Sequence, residues 1–353
     1  MEKFDDQLPP SNTLTIATPV IDLHEDVSNY NMTESNLEND FSKDVSGRQA
    51  DFPKYKRAGA TVIVAAIFSL IRTWNPRLSN HLGAGYGDST PALIPRSPTA
   101  NALEQFKVYY QMSRTFSDFF QMIWNRNDLE DSVKSRRLAF IICLEGAEAL
   151  EDVSDLEIFY RLGLRAVGLT WNFDTRYASS CMSKKDYGLT GVGGQLVEEA
   201  NDHGVIVDLA HSSKATMLDA LALSRRPVMI SHANYAGIRP HARNVDDQVL
   251  EALVGNGGVV GFTMINETIG PKPSVESLAE HIIAVRNRFG SDLLAIGTDY
   301  LGISTTPAGL EDITKLSDLF ARLSALGMSK DEIANLAWKN AYRVFERNAE
   351  TWR

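Results

Sequence analysis

Residues 204–213 read Gly-Val-Ile-Val-Asp-Leu-Ala-His-Ser-Ser: a glycine, a run of apolar residues, then a histidine at position 211. A run that is apolar at successive rather than alternate positions suits a parallel strand buried on both faces. Asp208, inside that run, is either a partner for a ligand-bearing side chain or a group paired within the core. Similar runs recur along the chain. Strands are expected at Leu14–Leu23, Ala60–Phe68, Ala139–Leu144, Ala166–Thr170, Val205–Leu209, Pro227–Ser231, Gly258–Thr263 and Leu293–Gly297, eight in all. Amphipathic stretches lie between them, at about Thr99–Asn125, Val153–Leu162, Gly194–His203, Lys214–Leu223, Val245–Gly255 and Val275–Phe289. Strand–helix alternation of this kind builds βαβ units around a parallel sheet. No Gly-x-Gly-x-x-Gly turn opens any of them, which favours a closed α/β barrel, (β/α)8, over an open doubly wound sheet. Two extra C-terminal helices are expected near Ala308–Leu326 and Lys330–Asn348, the second capped by Ser329 with Glu332 three residues on.

The 353 residues fall within the span of single barrels, about 200 to more than 400, so one domain over 1–353 is expected. A net charge of −10, with no basic stripe, argues against nucleic acid as a partner. No apolar run approaches the roughly 18–20 residues that cross a bilayer. Cys143 and Cys181 are too few for a disulfide framework in so long a chain. The opening MEKFDDQLPPSNTLT is acidic and is followed by no apolar segment, unlike a signal peptide, so a cytoplasmic protein is expected. The stretch Ile71–Pro98, rich in Gly, Pro, Ser and Asn, is too long for an ordinary connection. It reads either as a loop over the barrel mouth or as a tolerated surface insertion.

In barrels of this type, catalytic groups stand where strands end and loops begin. Five of the eight expected strands run into a metal-capable or acid–base residue. The first leads into His24-Glu25-Asp26; because alternate residues of an extended chain share a side, His24 and Asp26 can meet one ion while Glu25 points away. The run ending at Leu144 delivers Glu145, a carboxylate that is costly after so apolar a stretch unless paired or bound to a cation. His211, His232 and Asp299 follow the runs ending near Leu209, Ser231 and Gly297. Singly, each is as well explained by structure. Jointly, imidazole and carboxylate groups at equivalent strand ends suit zinc or a similar divalent ion. Five ligands exceed the needs of one hydrolytic ion, so two ions bridged by a carboxylate are expected. His203 ends a helix before Gly204, where a cation favours the dipole; His81 and His281 have no partner in sequence.

The segments IDLHEDVS, ICLEGAEAL, RAVGLTWN, GVIVDLAHSS, PVMISHANYAGIRPHARNVDD, NGGVVGFTMI and LLAIGTDYLGI, in this order and spacing, resemble the membrane (renal) dipeptidase family of zinc metallopeptidases, whose barrels are of the metal-dependent hydrolase type. The resemblance runs from IDLHEDVS to AWKNAYRVFER. It implies His24 and Asp26 on one zinc ion, His211 and His232 on the other, and Glu145 between them. It further implies Arg243 as the group that binds the substrate carboxylate, a task suited to its planar fork. Asp299 would relay a proton as a water acidified by the ions attacks the peptide bond. Asn234 and Tyr235 are pocket candidates. The family's dimer is likewise an expectation for this chain, with a small dipeptide or similar amide as its partner in the site.

There are departures. Where the well-known dipeptidases carry Leu-Thr-His-Asn, this chain has Leu169-Thr170-Trp171-Asn172, and a bacterial branch carries the same tryptophan. Trp171 offers an apolar wall and one N–H donor in place of a titratable ring; with Asn172 it is expected to line the substrate pocket. After the last strand, Asp299-Tyr300-Leu301-Gly302 keeps the first acid of the family pattern and loses the second. The leading reading is therefore a dipeptidase. A hydrolase of another small amide or lactone, and a barrel that binds metal without turnover, are the alternatives.

Overall fold

The computed structural model describes residues 18–33, 40–69 and 97–352. Among these described residues there are nine parallel strands: β1 (Val20–Glu25), β2 (Ala60–Phe68), β3 (Phe120–Met122), β4 (Leu138–Glu145), β5 (Leu164–Gly168), β6 (Ile206–Asp208), β7 (Met229–Ile230), β8 (Val259–Phe262) and β9 (Leu294–Ile296). Their order is β2-β1-β9-β8-β7-β6-β5-β4-β3, and β2 also pairs with β4. That extra pairing, seven residues long from Val62↔Ala139 to Phe68↔Glu145, closes eight strands into a (β/α)8 barrel. All eight expected strands are there.

The ninth, β3, lies beside the start of β4, with Phe120 opposite Leu138 and Met122 opposite Phe140. It corrects the expectation of a helix over Thr99–Asn125. That helix ends at Thr115, and the chain then buries Phe120 and Met122 while Gln121 stays half-exposed, a period of two that a helical reading absorbed. A helix over Arg126–Ser135, closed by the reciprocal Asn125–Asp128 capping box, was also not anticipated, because it buries only Leu129 and Ser132. Helices Lys214–Leu223 and Val275–Phe289 stand at their expected bounds. The last helical segment runs from Lys330 to Asn348 through one π-turn at Asn335–Lys339. Its capping box, Ser329 with Glu332, forms as expected. The long stretch at 71–98 lies outside the described residues except for Ser97 and Pro98. Among the described residues no helix is long and apolar enough to cross a membrane.

Burial follows the pleat. Ile21, Leu23, Val62, Val64, Ala139, Ile141, Cys143, Ala166, Ile206, Met229, Val259 and Ala295 pack together, while their neighbours Val20, Ile63, Ala65, Phe140, Ile142, Val167 and Val260 join the larger cluster. Successive side chains of a strand point to opposite faces, so the first set fills the barrel and the second meets the helices. Val344, Phe345 and Trp352 belong to the inner set, and Trp352 Nε1 donates to the Gly204 carbonyl at 2.7 Å, just before β6. The C-terminal segment thus seals the end from which strands enter. The opposite end, where they exit, is left for polar groups.

Candidate metal centre

Each polar residue expected at the exit rim is there, and the rim brings them together. His24 Nε2 lies 3.6 Å from Glu145 Oε1 and 3.7 Å from both Asp26 Oδ2 and Asp299 Oδ1. On the other side of Glu145, its Oε1 is 3.0 Å from His211 Nε2 and 3.6 Å from His232 Nε2. Three groups have ligand atoms within 4.8 Å of one another: His24, Asp26 and Glu145; Glu145, His211 and His232; and His24, His232 and Asp299. Glu145 belongs to the first two. Glu25, between His24 and Asp26, points away as the strand period requires and accepts a 2.5 Å hydrogen bond from the Tyr55 hydroxyl.

Two aspartates inside strands hold the rim in register. Asp22 Oδ1 accepts from the backbone N–H of His24 (3.2 Å) and of Thr298 (2.9 Å), and its Oδ2 from the Thr298 hydroxyl (2.7 Å), tying β1 to the end of β9. Asp208 Oδ1 accepts from Ala210 N (3.0 Å) and Ser231 N (2.9 Å), tying the end of β6 to that of β7. Of the two readings of Asp208, the bonds are to backbone within the barrel, and they fix the loops that carry His211 and His232. Asp22 was not singled out in the sequence, although its charge inside an apolar run was the available signal. Gly302 was missed too. A Cβ there would overlap the Asp26 carboxylate, so the turn after β9 closes against the site only with glycine.

The imidazoles are held through their far nitrogens. Asn172 Oδ1 lies 2.8 Å from His211 Nδ1; an amide oxygen only accepts, so Nδ1 carries the hydrogen and Nε2 presents a lone pair to the cluster. Asn172, expected in the substrate pocket, spends its oxygen on this bond. Ser231 Oγ is 2.8 Å from His232 Nδ1. Trp171 does form a wall: its ring packs at 4.9 Å from Phe68, 5.6 Å from Phe173 and 5.8 Å from His211. Arg243 is buried and donates from Nη2 to the His232 carbonyl at 3.0 Å, while Nη1 is buried with no partner among the described residues. Asn234 and Tyr235 turn elsewhere: Asn234 Nδ2 donates to the Thr263 carbonyl and the Thr268 hydroxyl, and Tyr235 to Asp247. His281 is buried and does have partners, Tyr235 N–H at 3.1 Å and the Ile269 carbonyl at 3.0 Å.

The electrostatics mark a site made for cations. Burial disfavours a charged His24 ring, yet the charges of Glu145, Asp26 and Asp299 push it up to about 10. Burial holds His211 and His232 well below the usual histidine range, the charges of Arg243 and His24 adding to it. It also raises Glu145 well above the carboxylate range and Asp299 to about 7. Both ring nitrogens of fully buried His24 lack a hydrogen-bond partner among the described residues, and the Nε2 atoms of His211 and His232 face each other at 3.0 Å. Lone pairs so placed repel unless a proton or a metal ion lies between them. Mixed nitrogen and oxygen donors, with three carboxylates around buried imidazoles, fit divalent first-row ions.

Residues 10–353 match the sequence model of the family described as membrane dipeptidase, peptidase family M19. The chain belongs to the membrane dipeptidase family. It is 33% identical over 248 residues to dipeptidase verJ of Clonostachys rogersoniana, covering 69% of this chain and 64% of that one. It is 32% identical over 250 residues to dipeptidase tcpJ of Claviceps purpurea, covering 69% and 59%. The matches thus span less than two thirds of the length of these relatives. Among solved structures, a metallopeptidase from Rhodobacter sphaeroides holding a phosphinate mimic of L-Ala-D-Ala superimposes with a TM-score of 0.80 at 24% identity, over 94% of this chain and 99% of the other. That likeness is one of fold.

Proposed function

We propose that this chain is a dinuclear zinc dipeptidase that hydrolyses short peptides with a free C-terminal carboxylate. One observation carries the reading: a single carboxylate, Glu145, is shared by two ligand groups, and beside them lies a buried guanidinium N–H of Arg243 with no partner among the described residues. Family membership and the names of the relatives support it. His24, Asp26 and Glu145 would hold one ion and Glu145, His211 and His232 the other. When bound, such ions supply a Lewis acid for the peptide carbonyl and acidify a water to near-neutral pKa.

The protein's own groups do the rest. Arg243, anchored by Nη2 on the His232 carbonyl, offers Nη1 to the substrate carboxylate and so fixes the peptide's C-terminal end. Asn172 keeps His211 in the tautomer that points Nε2 inward. Trp171 walls the pocket and excludes water from the side facing His211. Asp299, on the rim beside His24, takes a proton from the attacking water and returns it to the leaving amine nitrogen.

The decisive experiment measures metal content on purified protein together with a panel of dipeptides, half of them carrying a D-residue at the C-terminal position, and a few lactones. Two equivalents of zinc with turnover of dipeptides is the expected result. Protein that retains metal but turns over only lactones, or no substrate at all, defeats the proposal.

A further inference from the structure

Glu148 stands three residues beyond Glu145, in a single 3-10 turn at Ala147–Ala149. The chain turns there at Gly146, whose φ of +92 favours glycine, and the Glu148 carboxylate folds back over it into space that a Cβ would share. Both carboxylate oxygens are buried, and neither has a hydrogen-bond partner among the described residues. The backbone N–H groups of Glu148 and Trp171 lie close enough to favour its charged form without bonding to it. The carboxylate therefore sits at the exit rim between β4 and β5, next to the residue whose ring leans on His211. No mechanism described above uses it.

A buried carboxylate without a partner is costly to ionise in an apolar setting, and a cation brought beside it removes that cost. Burial has pushed this one up to about 7, leaving it poised to ionise fully when a positive charge arrives. Another group at the rim without a hydrogen-bond partner among the described residues has the opposite sign: Arg243 Nη1, on the β7 side. A carboxylate in the turn after β4, beside the Trp171 backbone, and a guanidinium beyond β7 thus stand at two places on the exit rim, and a dipeptide is a zwitterion with charges at its two ends.

We propose that Glu148 is a specificity residue that binds the α-ammonium group of the substrate, so that the site selects peptides with both termini free. The inference rests on the dipeptidase reading and sharpens it. Gly146 clears the space for the carboxylate, and the Trp171 wall gives the first side chain of the peptide an apolar surface to lie on.

The test compares alanyl-leucine with N-acetyl-alanyl-leucine, on wild type, Glu148→Gln and Glu148→Asp. In turnover, wild type favours the free amine. Glu148→Gln raises KM for it about tenfold or more, as expected for a lost bond to a charged group, with kcat little changed. The acetylated substrate is unaffected, and Glu148→Asp recovers part of the preference. Binding of the same two peptides to metal-depleted protein, by calorimetry, reads the subsite without catalysis, and the free-amine peptide again binds wild type more tightly than Glu148→Gln. If Glu148→Gln treats both peptides as wild type does, or weakens both equally, the subsite is overturned, whether or not peptides are cleaved. Discrimination in binding with no cleavage by the zinc-loaded protein upholds the subsite and removes only the hydrolase reading.

Discussion

Replacing Glu148 by glutamine should stabilise the metal-depleted protein, by an amount that grows from about pH 4.5 to 7 and then levels off. Burial lifts this carboxyl from an ordinary value of 4.5 to about 7. The folded state therefore holds the proton more tightly than the unfolded chain does. Below the ordinary value both states are protonated, and the group contributes no penalty. As pH rises from 4.5 through 7, the unfolded chain ionises freely while the folded one resists, and stability is lost. Once both are ionised the loss is constant. At 1.36 kcal/mol per pKa unit it approaches about 3 kcal/mol, an upper bound because water can reach the ionised group. Glutamine keeps the shape and never ionises.

Urea unfolding of both proteins at pH 4.5, 6, 7 and 8 isolates the effect, since every other titrating group is common to the two. The difference in stability should be small at pH 4.5, grow in favour of glutamine through pH 6 and 7, and level off by pH 8. Parallel profiles from pH 4.5 to 8 would refute the reasoning, because they would mean the carboxylate already has a compensating charge. A saturating free-amine dipeptide should narrow the gap at pH 8 by stabilising wild type more than the variant. A side chain that destabilises the empty protein while serving a ligand is a familiar exchange of stability for function.

Two further substitutions probe the centre itself. Asn172→Ala releases His211 Nδ1, and loss of such an outer bond typically weakens metal affinity about 10–100-fold; a chelator competition that finds unchanged affinity removes Asn172 from the role of holding the ring. Asp299→Asn preserves the left-handed backbone at this position, φ +64, because asparagine tolerates it. With metal content unchanged, kcat should fall about 10²–10⁴-fold while KM stays close to wild type, and hydrolysis at the wild-type rate would strip Asp299 of the proton relay.

Much of this molecule was legible in its sequence because burial on both faces leaves a plain mark. Runs such as VIVDLA and VVGF suit interior strands, and the residue that follows such a strand sits at the rim. The period of two already placed His24 and Asp26 on one side and Glu25 on the other. The helix at Arg126–Ser135 and strand β3 were not legible for the converse reason: the first buries only two residues and the second is three residues long, so neither carries enough periodicity to outweigh the pattern beside it. What the sequence lacked altogether was the identity of neighbours. Asp22 and Asp208 announce themselves as charges in apolar runs, but that they brace Thr298 and Ser231 depends on which strands close the barrel. Asn172 in sequence is a polar residue after a strand; only β5 lying beside β6 turns it into the partner of His211.

The backbone of the site was equally hidden. His211 and Asp299 both lie in the left-handed region, at φ +63 and +64, with no glycine in the sequence to signal it. Each such residue is unfavourable by roughly 1–3 kcal/mol and persists only where its surroundings over-determine it. Here the surroundings can be named. Asp299 N–H donates to the His24 carbonyl at 3.0 Å, and Cys181 N–H donates to the His211 carbonyl at 2.7 Å. Ala210, immediately before His211, is pinned by Asp208, and Thr298, immediately before Asp299, by Asp22. The two strand aspartates therefore do the same work at different points on the rim: each fixes the residue just ahead of a strained one, so that a ligand-type side chain leaves the barrel wall and turns inward over the cluster. The strain and the braces form one device, and its product is the convergence of side chains on which any metal chemistry at this rim depends.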